Sequence, residues 1–285
     1  MTSARNPNAP RGIVGMVHVG ALPGTPRAQH APAAIVEQAV HEARMLREAG
    51  FDAVMIENMH DRPYLGGGIG PEVTACMAAV AAAVRGAVDA PVGIQVLGSG
   101  SREALAVAHA AGLDFVRAEN FVFAHVADEG LMAEAAAGPL LRYRKAIGAE
   151  RVSIHVDIKK KHASHAVTAD LDIAACARAA EFFLADGVIV TGSETGAKVD
   201  ERELAAVRAA TSLHVMTGSG ADAASVARLL AVADAVIVGS SIKEGGRWEN
   251  PVCARRAGEF AQAAHSRPAG AAPGMDAVRA VMGTR

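Results

Sequence analysis

Aromatic residues make up only 4% of this chain, so its core cannot rest on stacked rings. Abundant Ala, Val and Gly instead suit alanine-faced helices packed on Val/Ile strands. The three cysteines, Cys76, Cys176 and Cys253, are too few and too widely spaced for a disulfide or zinc framework. Placed in predicted helices, they read as small buried residues. Long apolar runs are missing too: stretches such as 78–84 fall far short of the roughly 20 residues that a membrane span requires, so no membrane insertion is expected. Charge of one sign is also lacking. A net charge of −2 and a pI of about 6.6 point to neither a nucleic-acid partner nor an anionic membrane, so any ligand phosphate must be held by local groups. Residues 1–12 carry Arg5 and Arg11 without the apolar core of a signal peptide, and a soluble cytoplasmic protein is expected.

What the chain has is one rhythm from end to end. Strand-like runs at 13–19, 52–58, 91–97, 115–120, 151–159, 187–192, 213–217 and 234–239 alternate with Ala-rich, helix-length segments. Those segments are 32–49, 71–86, 101–111, 132–147, 170–185, 200–210, 221–231 and 252–264. Eight βα units without a break in composition predict an α/β protein with a single-domain (β/α)8 TIM barrel over 12–265. Gly50, Gly112 and Gly148 close helices, Ser101 and Asp170 suit N-caps, and Pro32 and Pro71 suit first turns. Residues 1–11 and the Pro/Gly/Ala-rich 266–285 are expected to be flexible or to pack between subunits of a homo-oligomer. Three loops that follow strands are long, 59–70, 121–131 and 160–169, and barrel active sites are built from such loops.

Parity along the strands separates wall from lumen. In 151–159 the even positions are all Val or Ile, so Ser153, His155, Asp157 and Lys159 should point inward, stacked toward the mouth. The same reasoning turns His18, Glu57, Gln95, Arg117 and Glu119 inward. Branched apolar residues usually fill a barrel, so this polar lumen reads as a site. His155 and Asp157 are expected to exchange a proton with substrate, with Glu57 and Glu119 as opposing acid or base. Lys159 would stabilise an enolate or form a Schiff base. Arg117 with Glu57 or Glu119 could equally be a neutralising ion pair, and His18 a cap for the turn that follows it. No cofactor is required by this set. A divalent metal on His155, Asp157 and a Glu is compatible with it, but no ligand spacing is diagnostic, and metal-free acid/base chemistry ranks ahead. Lys160, Lys161, His162 and His165 read as a solvated or substrate-facing basic loop.

Two small-residue turns supply the anion site. Gly218, Ser219 and Gly220 follow the seventh strand and Gly239, Ser240 and Ser241 the eighth, with Lys243 as a charge partner. Barrels commonly bind phosphate after these two strands, through backbone N–H groups, so a phosphorylated small-molecule ligand is expected. Gly192, Ser193 and Thr195 add donors from a third side, and Asn58, Asn120 and Thr191 join Gln95 as substrate contacts.

Several of these stretches are shared with a known family. The 15–26 segment Gly-Met-Val-His-Val-Gly-Ala-Leu-Pro-Gly-Thr-Pro, the 52–58 run, Arg117-Ala-Glu-Asn120, His155-Val-Asp-Ile-Lys159 with His162, and 191–196 resemble the BtpA/SgcQ family over residues 12 to about 262. The family has a shorter Val-Lys-His step where this chain has Ile-Lys-Lys-Lys-His162, which leaves the register of the lysine open. The resemblance implies a ribulose-phosphate-binding type of barrel. Founding members are named for photosystem I biogenesis, whereas relatives associated with sugar-utilisation genes look like enzymes of phosphosugar or nucleoside metabolism. The expectation is an enzyme working by isomerisation, C–C cleavage or glycosidic cleavage on a sugar phosphate or nucleotide-derived molecule. A non-catalytic assembly factor that uses the barrel as a binding surface is the alternative.

Overall fold

The computed structural model describes residues 9–192, 196–266 and 274–283. In chain order its strands are β1 (Gly12–His18), β2 (Ala53–Glu57), β3 (Val92–Gln95), β4 (Phe115–Ala118), β5 (His125–Ala127), β6 (Gly130–Met132), β7 (Ser153–Ile158), β8 (Ala163–Ser164), β9 (Gly187–Thr191), β10 (His214–Gly218) and β11 (Ala235–Val238). Eight of them form a closed parallel barrel in the order β1-β11-β10-β9-β7-β4-β3-β2, with β1 pairing to both β11 and β2. Strands β5, β6 and β8 make a small antiparallel sheet within the loops after β4 and β7. The helices are α1 (Pro32–Glu48), α2 (Pro71–Ala87), α3 (Ser101–Ala111), α4 (Ala137–Ala146), α5 (Ile173–Phe182), α6 (Glu201–Ala210), α7 (Val226–Val232), α8 (Ala254–His265) and α9 (Met275–Gly283).

Alternate barrel strands begin with the same device. Asp52, Asp114, Asp186 and Asp234 each stand immediately before β2, β4, β9 and β11. Their carboxylates accept from the backbone N–H of Ile13, Val92, Ile154 and Val215, at 2.8, 2.9, 2.8 and 3.0 Å. Each of these N–H groups belongs to the first or second residue of the preceding barrel strand, so the carboxylate supplies an acceptor at the strand start. Three of the carboxylates also hold an arginine from the last turn of a helix: Arg85 of α2 on Asp114, Arg144 of α4 on Asp186, and Arg208 of α6 on Asp234. A cation there also complements the helix dipole.

Differences from the expected boundaries have local causes. The segment expected as helix from 132 is strand and loop until α4 starts at Ala137, because 125–132 forms the β5–β6 hairpin. Asp172, not Asp170, caps α5, its Oδ1 accepting from Ala175 N at 2.6 Å. Ser101 is the first residue of α3 and makes no capping bond. Helix α7 begins at Val226 because Asp222 and Ser225 bond each other's backbone N–H at 2.8 and 3.0 Å and hold 222–225 as a turn. The stretch expected as a detached tail carries α9, which packs on α6 and α7 with Val278 buried. Among the described residues no helix is long and apolar enough to cross a membrane.

Candidate active site

Inward parity turns His18, Glu57, Gln95, Arg117 and Asp157 to the lumen side, where apolar residues of β1, β2, β4, β9, β10 and β11 lie below them. Val14, Met16, Ala53, Met55, Phe115, Ile189, Met216, Ala235 and Ile237 form an apolar layer inside the barrel, separate from the core between sheet and helices. Two glycines make room for its larger neighbours. A Cβ at Gly93 would lie 2.2 Å from the Phe115 ring, and one at Gly187 2.2 Å from His155 Nδ1.

His155 therefore lies deep, not at the mouth. It is fully buried, its ring 5.1 Å from that of His214 and 5.8 Å from that of Phe115, with Nε2 3.2 Å from Ser153 Oγ. It lines none of the cavities at the strand C-termini, which corrects its expected role as proton-transfer catalyst. Lys159 is corrected for another reason. Its φ of 48° ends β7 in the left-handed region, and its side chain borders an outer groove with Asp170 and Asp172. The strand's alternation stops one residue too early for Lys159 to enter the lumen. Lys161 enters instead, and Lys160 is buried in an ion pair with Glu119 at 3.3 Å and Glu129 at 3.7 Å.

The mouth holds two adjoining lobes of about 280 and 260 Å³. The first runs along Ser219, Gly220, Gly239, Ser240 and Ser241 to Arg256. The second is bounded by Gln95, Glu119, Tyr64 and Trp248. Glu57, Met59, Arg117 and Lys161 line both, so they form the wall where the lobes meet.

Arg117 crosses the barrel. Its guanidinium binds Asp157 through Nε (3.0 and 3.2 Å) and Nη2 (3.0 Å), and a Cβ at Gly218 would lie 3.7 Å from its Cζ. Asp157 thus aims the arginine and keeps it charged, with the Asp157 carboxylate as the largest attractive influence against burial. This differs from the proton-transfer role expected of Asp157, which sits behind Arg117. Glu57 stands free of that pair. Burial raises its carboxyl, against the pull of Arg117. His18 faces it, Nε2 to Oε2 at 3.8 Å. His18 Nδ1 lies 2.9 Å from the Trp248 carbonyl oxygen, which can only accept, so Nδ1 carries the hydrogen and Nε2 presents a lone pair. Burial, assisted by the charge of Lys243, holds the ring well below its usual pKa and hence neutral. An unprotonated nitrogen and a carboxyl inclined to keep its proton are thereby set side by side.

Around the first lobe, Gly220 has φ 65° and a Cβ there would meet Ala197 O at 2.0 Å, so only glycine fits. Gly192 is pressed against the same segment, 2.3 Å from Ala197 O by the same measure. Ser241 Oγ donates to Ala221 O at 2.7 Å and ties the two turns together. Lys243 does not join them. It is 0% exposed, with Nζ on Glu42 Oε2 at 2.7 Å, and it ties α1 to the segment after β11. Arg256 is the cation beside the two small-residue turns, its Nε donating to Ser241 O at 2.8 Å.

Two expected substrate contacts, Asn58 and Asn120, are structural. Asn58 clamps Leu97 through both of its backbone groups, at 2.7 and 3.1 Å, and donates to Asp61 at 2.8 Å. Asp61 in turn accepts from Leu22 N at 2.7 Å, which holds the Leu-Pro-Gly turn after β1. Asn120 donates to Glu134 O at 2.7 Å, and neither asparagine lines the lobes. Thr191 is buried beside the mouth without lining either lobe. Gln95 does line the second lobe, and its Oε1 has no hydrogen-bond partner among the described residues. Ser193 and Thr195 lie outside the described residues, and no group of three or more His, Cys, Asp or Glu among those described is placed to hold a metal.

Arg256 and Trp248 are the residues that sequence reasoning missed, while Lys161, expected only in a solvated or substrate-facing basic loop, lines both lobes. A strand-end kink cannot be counted from alternation, but Arg256 stands early in the helix expected over 252–264, shortly after the second small-residue turn, and that placement is a usable signal. Trp248, the chain's single tryptophan, packs under the Arg62 guanidinium at 4.5 Å and beside His60 at 5.2 Å.

Fold and mouth together define a single-domain (β/α)8 barrel with a polar two-lobed cleft at the strand C-termini. The chain belongs to the BtpA family, whose profile matches residues 9–266. It is 44% identical over 253 residues to an uncharacterised mitochondrial protein of Caenorhabditis elegans, covering 87% of this chain and 91% of that one. It is 34% identical over 253 residues to the photosystem I biogenesis protein BtpA of Synechocystis, covering 88% and 87%. Among solved structures, N-(5'-phosphoribosyl)anthranilate isomerase from Pyrococcus furiosus shares the fold, with a TM-score of 0.53 at 12% identity over 90% of this chain and 100% of that one.

Proposed function

We propose that this protein is an enzyme that performs acid/base chemistry on a phosphorylated sugar or nucleotide-derived small molecule. The observation that carries the reading is the shared wall of Glu57, Met59, Arg117 and Lys161 between the two lobes. A phosphate seated among Ser219, Gly220, Gly239, Ser240 and Arg256 leaves the rest of the molecule over that wall. There His18 Nε2 serves as base and the Glu57 carboxyl as acid, while Arg117 holds developing negative charge. Isomerisation, C–C cleavage and glycosidic cleavage all fit this set.

Trp248 borders the second lobe, so ligand binding is readable as a change in intrinsic fluorescence. Phosphosugars and nucleotides, screened with and without divalent metal, should raise the melting temperature where their unphosphorylated forms do not. With the substrate so found, Glu57→Gln and His18→Gln should each lower turnover by about 10²–10⁴-fold while the phosphorylated ligand still binds. Full turnover in both variants would remove the assignment.

A second reading rests on Phe182 and Leu184, 81% and 68% exposed, with Phe183 between them at the end of α5. This apolar cluster precedes β9 and so lies at the barrel end away from the mouth. It suits docking to another protein, or a second copy in the expected homo-oligomer, without competing for the cleft. Sedimentation of Phe182→Glu against the parent chain tests the second-copy case, in which the variant sediments more slowly.

A further inference from the structure

The chain has six lysines. Four are held in ion pairs, Lys145 with Glu150, Lys160 with Glu119, Lys198 with Asp222 and Lys243 with Glu42, and Lys159 borders the outer groove. Lys161 lines both lobes of the mouth and has no ion-pair partner among the described residues. Acids stand around it without closing on it: Glu57, Asp157 and Glu119 are near enough to act on its charge, as is the Arg117 guanidinium, which repels it. A lysine kept only to bind an anion gains from a full charge and an open approach. This one is partly buried on the shared wall next to an arginine, which favours the neutral amine.

Resting on the reading of the mouth as an active site, we propose that Lys161 is a covalent catalyst, and that the substrate is a phosphorylated aldehyde or ketone whose carbonyl carbon forms an imine with Nζ. The neutral amine attacks the carbonyl carbon and the C=O π pair moves to oxygen. Both amine hydrogens leave with that oxygen as one water, and a proton delivered from Glu57 remains on the product as an iminium. The iminium draws the electron pair of a neighbouring C–H or C–C bond. The Glu57 carboxylate takes the released proton in the C–H case, or the β-hydroxyl proton in the C–C case, where the cleaved fragment leaves as a carbonyl compound. Either route gives an enamine, a proton returned to its carbon restores the iminium, and water then releases the carbonyl product and the free amine. Arg117 and the phosphate lobe fix which carbonyl carbon reaches Nζ.

The whole protein is incubated with ribose 5-phosphate or dihydroxyacetone phosphate and cyanoborohydride, and the reduced adduct is mapped by mass spectrometry. Adduct is expected on Lys161 ahead of the other five lysines, by about tenfold for each unit that its pKa lies below theirs. Burial and Arg117 place that shift downward. Lys161→Arg keeps the charge and should lose the mapped adduct and turnover while Trp248 fluorescence still reports phosphate-ligand binding. Binding by the parent chain with no adduct on Lys161 overturns the imine and leaves the acid/base reading standing. So does full turnover in Lys161→Arg. Neither binding nor adduct with any phosphosugar removes both. Inorganic phosphate in excess should suppress the Lys161 adduct, and surface glycation alone would be indifferent to it.

Discussion

Two cations flank the turn after β11, and their surroundings give them opposite functions. Lys243 is fully buried with its charge spent on Glu42, which also accepts from Val252 N at 3.3 Å. Lys243→Met should cost about 3–5 kcal/mol of stability because Glu42 is left buried and unpaired. The preference for phosphorylated over unphosphorylated ligand should not change. Arg256→Met should do the reverse: the urea midpoint stays close to the parent value while affinity for the phosphorylated ligand falls about 10–150-fold, the equivalent of a charge-assisted hydrogen bond of about 1.5–3 kcal/mol. Urea titration and Trp248 fluorescence separate the two. From sequence, Lys243 was the more attractive of the pair, because proximity in the chain is visible and the direction of a side chain is not. The same limit acts at Lys159 and Lys161. Alternation identified His18, Glu57, Gln95, Arg117 and Asp157 as inward, and failed only where a positive φ took β7 out of register with its own pattern.

At the scale of elements, the recurrent aspartate at the start of every second barrel strand does more for the fold than the helix caps that sequence brings to mind. Asp186 serves Ile154 N and Arg144 at once, whereas Asp170 is not the cap of α5. Asp186→Ala should therefore cost about 1–3 kcal/mol, since a strand N–H and a guanidinium lose their acceptor together. Asp170→Ala should stay within about 0.5 kcal/mol of the parent in urea unfolding. Equal losses in the two variants would show that the pins are not what orders the strand starts. The eight βα units were legible because hydrophobic runs and glycine stops report local structure. The aspartate device was printed in the sequence at 52, 114, 186 and 234, but its meaning depends on which strand lies alongside, and that is decided by barrel closure. The β5–β6 hairpin was hidden for a related reason: its strands are three residues each, too short for alternation to register.

For the molecule as a whole, depth along the barrel axis decides how the protein answers to acid. His155 is buried and His214 half-buried on the lumen side, and burial pushes His214 down to about 4 and His155 well below 6.5. Sequence parity turned His155 inward but carried no information about depth, because depth follows from strand stagger. In the unfolded chain both rings titrate near 6.5. Between that value and about 4 the unfolded state binds protons that the native state refuses, so stability must fall as pH falls, by about 1.4 kcal/mol per pH unit for each histidine. Above 6.5 neither ring contributes a slope. Glu57, Asp61 and Asp157 act in the opposite direction, since their raised carboxyls take up a proton in the native state first, but they are three groups against five histidines lowered by burial, His18, His60, His125, His155 and His214. The expected outcome is a urea midpoint that is flat from pH 8 to 7 and declines steadily from 6.5 to 5. Replacing His214 with Gln keeps a polar side chain of similar size and should remove one histidine's share, flattening the decline by about 1.4 kcal/mol per pH unit whatever it does to stability at pH 7. Identical slopes in parent and variant would mean that the His214 ring takes up its proton as readily in the native barrel as in the unfolded chain, and that His155 and His214 do not form a neutral pair.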